Sequence, residues 1–189
     1  MRKLLTLSMA LLLISHFSQA QLINKILPTS PFSETLARLV ENYQTNYGNI
    51  QGPALTPDED RDIFESTLRL PGASQCVIYR FHSVEDTTAS WQAILYTGED
   101  FKEASKIYKT TYRHLKQTKF KDGLTQNSLE GDISSPTESI RFTTSLLRPA
   151  VRSGIYKNFI AEIEMINTMD GWIVQLNLHS RKDDDERYQ

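Results

Sequence analysis

The chain has 189 residues, 21 basic and 23 acidic side chains, and a net charge of −2. That length suits one domain with a sizeable core and is thin for two. The mild acidity argues against the broad basic face that a nucleic acid or an anionic membrane surface selects, and a single cysteine, Cys76, excludes an internal disulfide.

The N-terminus reads as an export signal. Arg2 and Lys3 precede an apolar run from Leu4 to Ile14, interrupted by Thr6 and Ser8, and small Ser18 and Ala20 stand where a signal peptidase reads. Basic, apolar, small is the order of a secretory signal, and the apolar run is well short of the roughly twenty residues that span a bilayer. Cleavage after Ala20 removes 20 of the 189 residues, Arg2 and Lys3 among them, and takes the net charge from −2 to −4. The lone cysteine and the lack of any Asn-x-Ser/Thr sequon favour a bacterial protein, periplasmic or secreted. Gln21, rather than cysteine, at the new start argues against a lipid anchor. The expected organisation is a cleaved signal at 1–20, one domain at 21–180 and a charged tail at 181–189.

Gln21–Ser30 reads as a leader. Pro31 is pre-organised for a first helical turn, and Phe32, Leu36, Leu39, Val40, Tyr43 and Tyr47 recur at helical spacing until Gly48. Gln51–Asp62, with Pro53, Pro57 and the acidic run Asp58-Glu59-Asp60, reads as a loop. Strands are expected over Ile63–Leu70, Cys76–His82 and Ala89–Thr97, joined by short links at Pro71-Gly72 and Ser83–Thr88. A second helix opens at Asp100, a capping residue, with Glu103 placed to complete a capping box. It buries Phe101, Ala104, Ile107, Tyr108, Tyr112 and Leu115, and carries Lys102, Lys106, Lys109, Arg113 and Lys116 outward. Lys121–Ser139 is polar and aperiodic, a flap or a segment with one short strand at Leu129–Ile133. A strand follows at Ile140–Leu147. The clearest alternation comes last, Phe159–Met165 and Trp172–Leu178 around a turn at Asn167–Gly171, the pattern of an antiparallel hairpin with one buried and one wet face. The sum is an α+β two-layer sandwich, an antiparallel sheet of five to six strands with two main helices on one face. This element order is similar to that of the small α/β sandwiches of secretion chaperones. The likeness is one of layout, with no shared motif, and implies nothing about activity.

No residue is assigned a catalytic, cofactor-binding or metal-binding role. Cys76 begins an apolar strand and reads as a buried, inert thiol. His82, His114 and His179 stand in no metal-ligand spacing. The acidic clusters Asp58–Asp60 and Asp183–Glu186 lack the alternating ligands and central glycine of a calcium loop. Serine-hydrolase motifs and phosphate-cradling glycine loops are missing. Glu162 and Glu164 share one strand face and read as its wet side, although two such carboxylates also suit glycosidase chemistry. Trp91 and Trp172 read as core. The expectation is a non-catalytic binding, interaction or chaperone-like module of the cell envelope. Its partner would be another envelope or secreted protein or a small ligand, with no cofactor, no nucleic acid and no membrane anchor after cleavage. Two alternatives stand beside it. One is an enzyme using His82 or His179 with Glu162 or Glu164. The other is a small-ligand carrier with a cavity lined by Tyr43, Tyr108 and Trp172.

Overall fold

Alternation is strongest between Phe159 and Ser180, and there the computed structural model has its two longest strands, Phe159–Thr168 and Gly171–Ser180. The structure describes residues 30–55, 60–82, 88–152 and 154–181. The expected signal at 1–20, the leader up to residue 29 and the acidic tail cluster Asp183–Glu186 lie outside them. Of the acidic run at 58–60, only Asp60 is described.

Among the described residues, nine strands form one sheet: β1 (Gln51–Ala54), β2 (Arg61–Ser66), β3 (Gln75–Phe81), β4 (Ser90–Gly98), β5 (Lys119–Asp122), β6 (Thr125–Glu130), β7 (Phe142–Pro149), β8 (Phe159–Thr168) and β9 (Gly171–Ser180). Their order is β1-β2-β3-β4-β9-β8-β7-β6-β5, and every neighbouring pair is antiparallel. The chain lays down one meander from β1 to β4, crosses through a helix to the far edge, and returns as a second meander from β5 to β9. The two meanders join where β9 pairs with β4.

This overturns the expected sandwich built on a sheet of five to six strands. The strands unforeseen or misplaced are the ones with the weakest apolar signal, β6 overlapping the short strand weighed at Leu129–Ile133 only at 129–130. β1 lies in the stretch expected to be a loop; it contains Gly52 and Pro53 and pairs with β2 in an irregular register. Proline is tolerated there because β1 is an edge. β5 buries only Phe120 between Lys119 and Lys121, and such charges suit an edge strand. β6 turns only Asn127 and Leu129 inward. A two-residue link, Gly123-Leu124, joins β5 to β6, and Gly123 supplies the positive φ of +62° that such a turn demands.

Two α-helices lie among the described residues, α1 (Pro31–Asn42) and α2 (Phe101–Gln117). The apolar periodicity of α1 runs on to Tyr47, but the α-helix stops at Asn42. Asn46 and Tyr47 take φ of 52° and 56°, values a continuing right-handed helix cannot have. The turn aims Tyr47 into the core, where its hydroxyl donates to the Leu178 carbonyl at 3.1 Å. In α2, Asp100 accepts from the amides of Lys102 at 2.7 Å and Glu103 at 3.3 Å. Glu103 does not complete the expected capping box; it pairs with Lys106 at 3.3 Å.

The inner face of the sheet is apolar and meets the helices. Ala161, Ile163 and Met165 of β8, Val174, Leu176 and Leu178 of β9, and Trp91 of β4 are fully buried. Polar atoms in this layer are satisfied: the Trp91 indole donates to Ser66 Oγ at 2.9 Å, and Tyr108 and Ser145 share a hydrogen bond of 2.6 Å. The sheet also curls toward the helices. Glu41 accepts from the Lys121 amide on edge strand β5, while Gln51 opens β1 at the other edge. Nine flat strands would separate those edges by roughly 38 Å, whereas the stretch from Glu41 to Gln51, largely in 3₁₀ turns, covers roughly 20 Å. The helices therefore fill the hollow side, and the other face is left open.

Candidate functional site

Side chains alternate along a strand, so burying one face of β8 and β9 turns Glu162, Glu164, Gln175, Asn177 and His179 to the open face. Register then decides which of them meet. Gln92 of β4 lies opposite Asn177, and Asn177 lies opposite Glu162. Gln175 lies opposite Glu164, and Glu164 opposite Thr144 of β7.

The polar side chains form two hydrogen-bonded strings across the central strands. In the first, the Tyr79 hydroxyl donates to Gln92 at 3.1 Å, Gln92 donates to Asn177 at 2.8 Å, and Asn177 donates to Glu164 at 2.7 Å. Gln175 donates to the same Glu164 oxygen. The Arg61 guanidinium lies over the Tyr79 ring, 4.5 Å from its centre. In the second string, His179 Nε2 is 3.0 Å from Glu162 Oε2, and Thr144 donates to Oε1 at 3.2 Å.

His179 and Glu162 are largely enclosed, with side chains 19% and 16% exposed. The hydrogen bond from His179 outweighs burial, with the charge of that ring, Thr144 and Arg181 adding to it, and holds the Glu162 carboxyl below the usual carboxylate range. The other ring nitrogen, Nδ1, lies 3.2 Å from the Ser180 carbonyl. Both ring nitrogens therefore face oxygen atoms, and these two contacts fix the orientation of the ring.

Between the strings lies a cleft of about 170 Å³, bordered by Tyr79, Phe81, Ser90, Gln92, Glu162 and Asn177. Phe81 is 43% exposed at its rim. The Ser90 hydroxyl has no hydrogen-bond partner among the described residues.

Of the residues singled out in the sequence, the structure brings together His179 and Glu162. His82 pairs with Asp62 at 3.2 Å instead of with either glutamate, and Glu164 is held by the two amides. Cys76 is 1% exposed on the inner face, and burial pushes its thiol up. The His114 ring stacks on Phe32 at 4.6 Å. Tyr43, Tyr108 and Trp172 are buried; Tyr43 packs on Phe159, and Trp172 on Phe101. No group of three or more His, Cys, Asp or Glu that could hold a metal ion occurs among the described residues, and none of the described helices is long and apolar enough to cross a membrane. Sequence reasoning missed Tyr79, Gln92 and Asn177. Their signal is their outward position on strands that become neighbours, which only the pairing of β4 with β9 reveals.

Compared with protein-family models, with curated proteins and with solved structures, the chain matches none.

Proposed function

We propose that the protein is an exported, non-catalytic binding module, and that the cleft on its open sheet face receives a small, neutral, hydrogen-bonding ligand of the size of a monosaccharide. The observation that carries this reading is the string Tyr79–Gln92–Asn177–Glu164. It fixes two amides side by side on a solvent-facing surface, each with further hydrogen-bonding capacity. Donors and acceptors held in place before a ligand arrives lose little freedom when it binds. The Ser90 hydroxyl and the exposed Phe81 ring add a hydrogen-bonding group and an apolar platform. Pairing of Glu162 with His179 offsets charge within the site, which suits a neutral ligand better than an ion.

The His179–Glu162 contact also favours a second reading, acid–base catalysis. Two features weigh against it. Both nitrogens of His179 are engaged, and Glu162 is held below the range in which a carboxyl serves as a general acid near neutral pH.

Amide NMR spectra of the purified protein titrated with a panel of sugars and polyols test the proposal. Saturable shifts are expected at Tyr79, Ser90, Gln92 and Asn177, and they should vanish in Q92A. No shifts with any member of the panel, or turnover of glycosides that is lost in E162Q, would overturn it.

A further inference from the structure

The cations of α2 fall at Lys102, Lys106, Lys109, Arg113 and Lys116, in steps of four, three, four and three. That spacing keeps them on one stripe of the helix, roughly 21 Å long at 1.5 Å per residue. All five are exposed. Lys106 pairs with Glu103, and Arg113 donates to Thr110. Lys102, Lys109 and Lys116 make no ion pair among the described residues. A chain with more acidic than basic residues thus concentrates unpaired positive charge on one helix face.

Beside the stripe runs a groove of about 280 Å³. Phe32 of α1, Pro71, Leu95 of β4, and Ile107 and His114 of α2 give it apolar walls, and Lys106 and Thr110 border both the groove and the stripe. Burial, reinforced by Arg113, holds His114 below the usual histidine range. Near neutral pH it therefore adds a ring to the wall and not a charge.

We propose that this face of α2 docks an acidic polypeptide segment that carries one bulky apolar residue, the acidic side chains lying along the stripe and the apolar one entering the groove. Charge complementarity selects an anionic partner. The length of the stripe matches about six extended residues, whereas one lipid head group would engage only part of it. The apolar surface is recessed, which suits an inserted anchor side chain; a bilayer surface is met by apolar residues that protrude. This surface is separate from the open-face cleft and does not depend on it.

The probe is a fluorescein-labelled twelve-residue peptide of alternating Glu and Ser with a central Trp, measured by anisotropy against the purified full chain. Saturable binding is expected. It should weaken at least tenfold in K109E/K116E, whose exposed positions leave the fold intact by circular dichroism, and similarly when the peptide's Trp is replaced by Ser. E162Q should bind as the parent does. No binding of the peptide, binding indifferent to K109E/K116E or to loss of the Trp, or capture of anionic phosphatidylglycerol vesicles in place of the peptide would each overturn the proposal.

Discussion

Glu162 shows how one carboxylate ties the open face to the acid stability of the whole protein. Its pairing with His179 makes it ionise at lower pH in the folded state than in the unfolded chain, where a glutamate titrates at about 4.3. The stabilisation is complete above that value and is lost as pH falls through the lower, folded value. E162Q should therefore be less stable than the parent in urea at pH 6, and the gap should close toward pH 3. A gap that stays constant across this range would show that the pairing does not drive the acid response. His114 acts in the same direction through a different cause. Burial disfavours its charged form, so the unfolded chain takes up the proton first and stability declines as pH falls below about 6.5.

At the scale of elements, legibility follows how much apolar surface each one buries. The α2 helix carries its signal openly, with Asp100 before it and a stripe of Tyr108 and Leu115 within it. Replacing Asp100 by Ala should cost about 1 kcal/mol, read from the urea midpoint, because two first-turn amides lose their acceptor. The β8–β9 hairpin is equally plain from its alternation. By contrast β1, β5 and β6 hold few inward apolar residues, and their strand character comes from neighbours that the sequence does not place beside them. The same limit hides the cleft. Glu162, Glu164 and His179 can be assigned to strands, and the shared face of the two glutamates is visible. Their partners cannot be read, because Gln92 reaches Asn177 only through pairing across 85 positions of sequence.

For the molecule as a whole, the order of strands sets where protection should lie. β4, β8 and β9 have neighbours on both sides and the helices against one face, while β1 and β5 are edges. Native-state hydrogen exchange should therefore find its slowest amides in β4, β8 and β9 and its fastest strand amides in β1 and β5. Uniform protection across all nine strands would contradict this hierarchy. The seam between β4 and β9 has a further consequence. It joins the end of the first meander to the last strand of the second, so a growing polypeptide cannot close its sheet until β9 has been made. Contacts of such long range form slowly, and during synthesis the chain stays open behind an unpaired β4. The strand that closes the sheet is the last of the nine described strands to leave the ribosome, so the two meanders are built apart and sealed last.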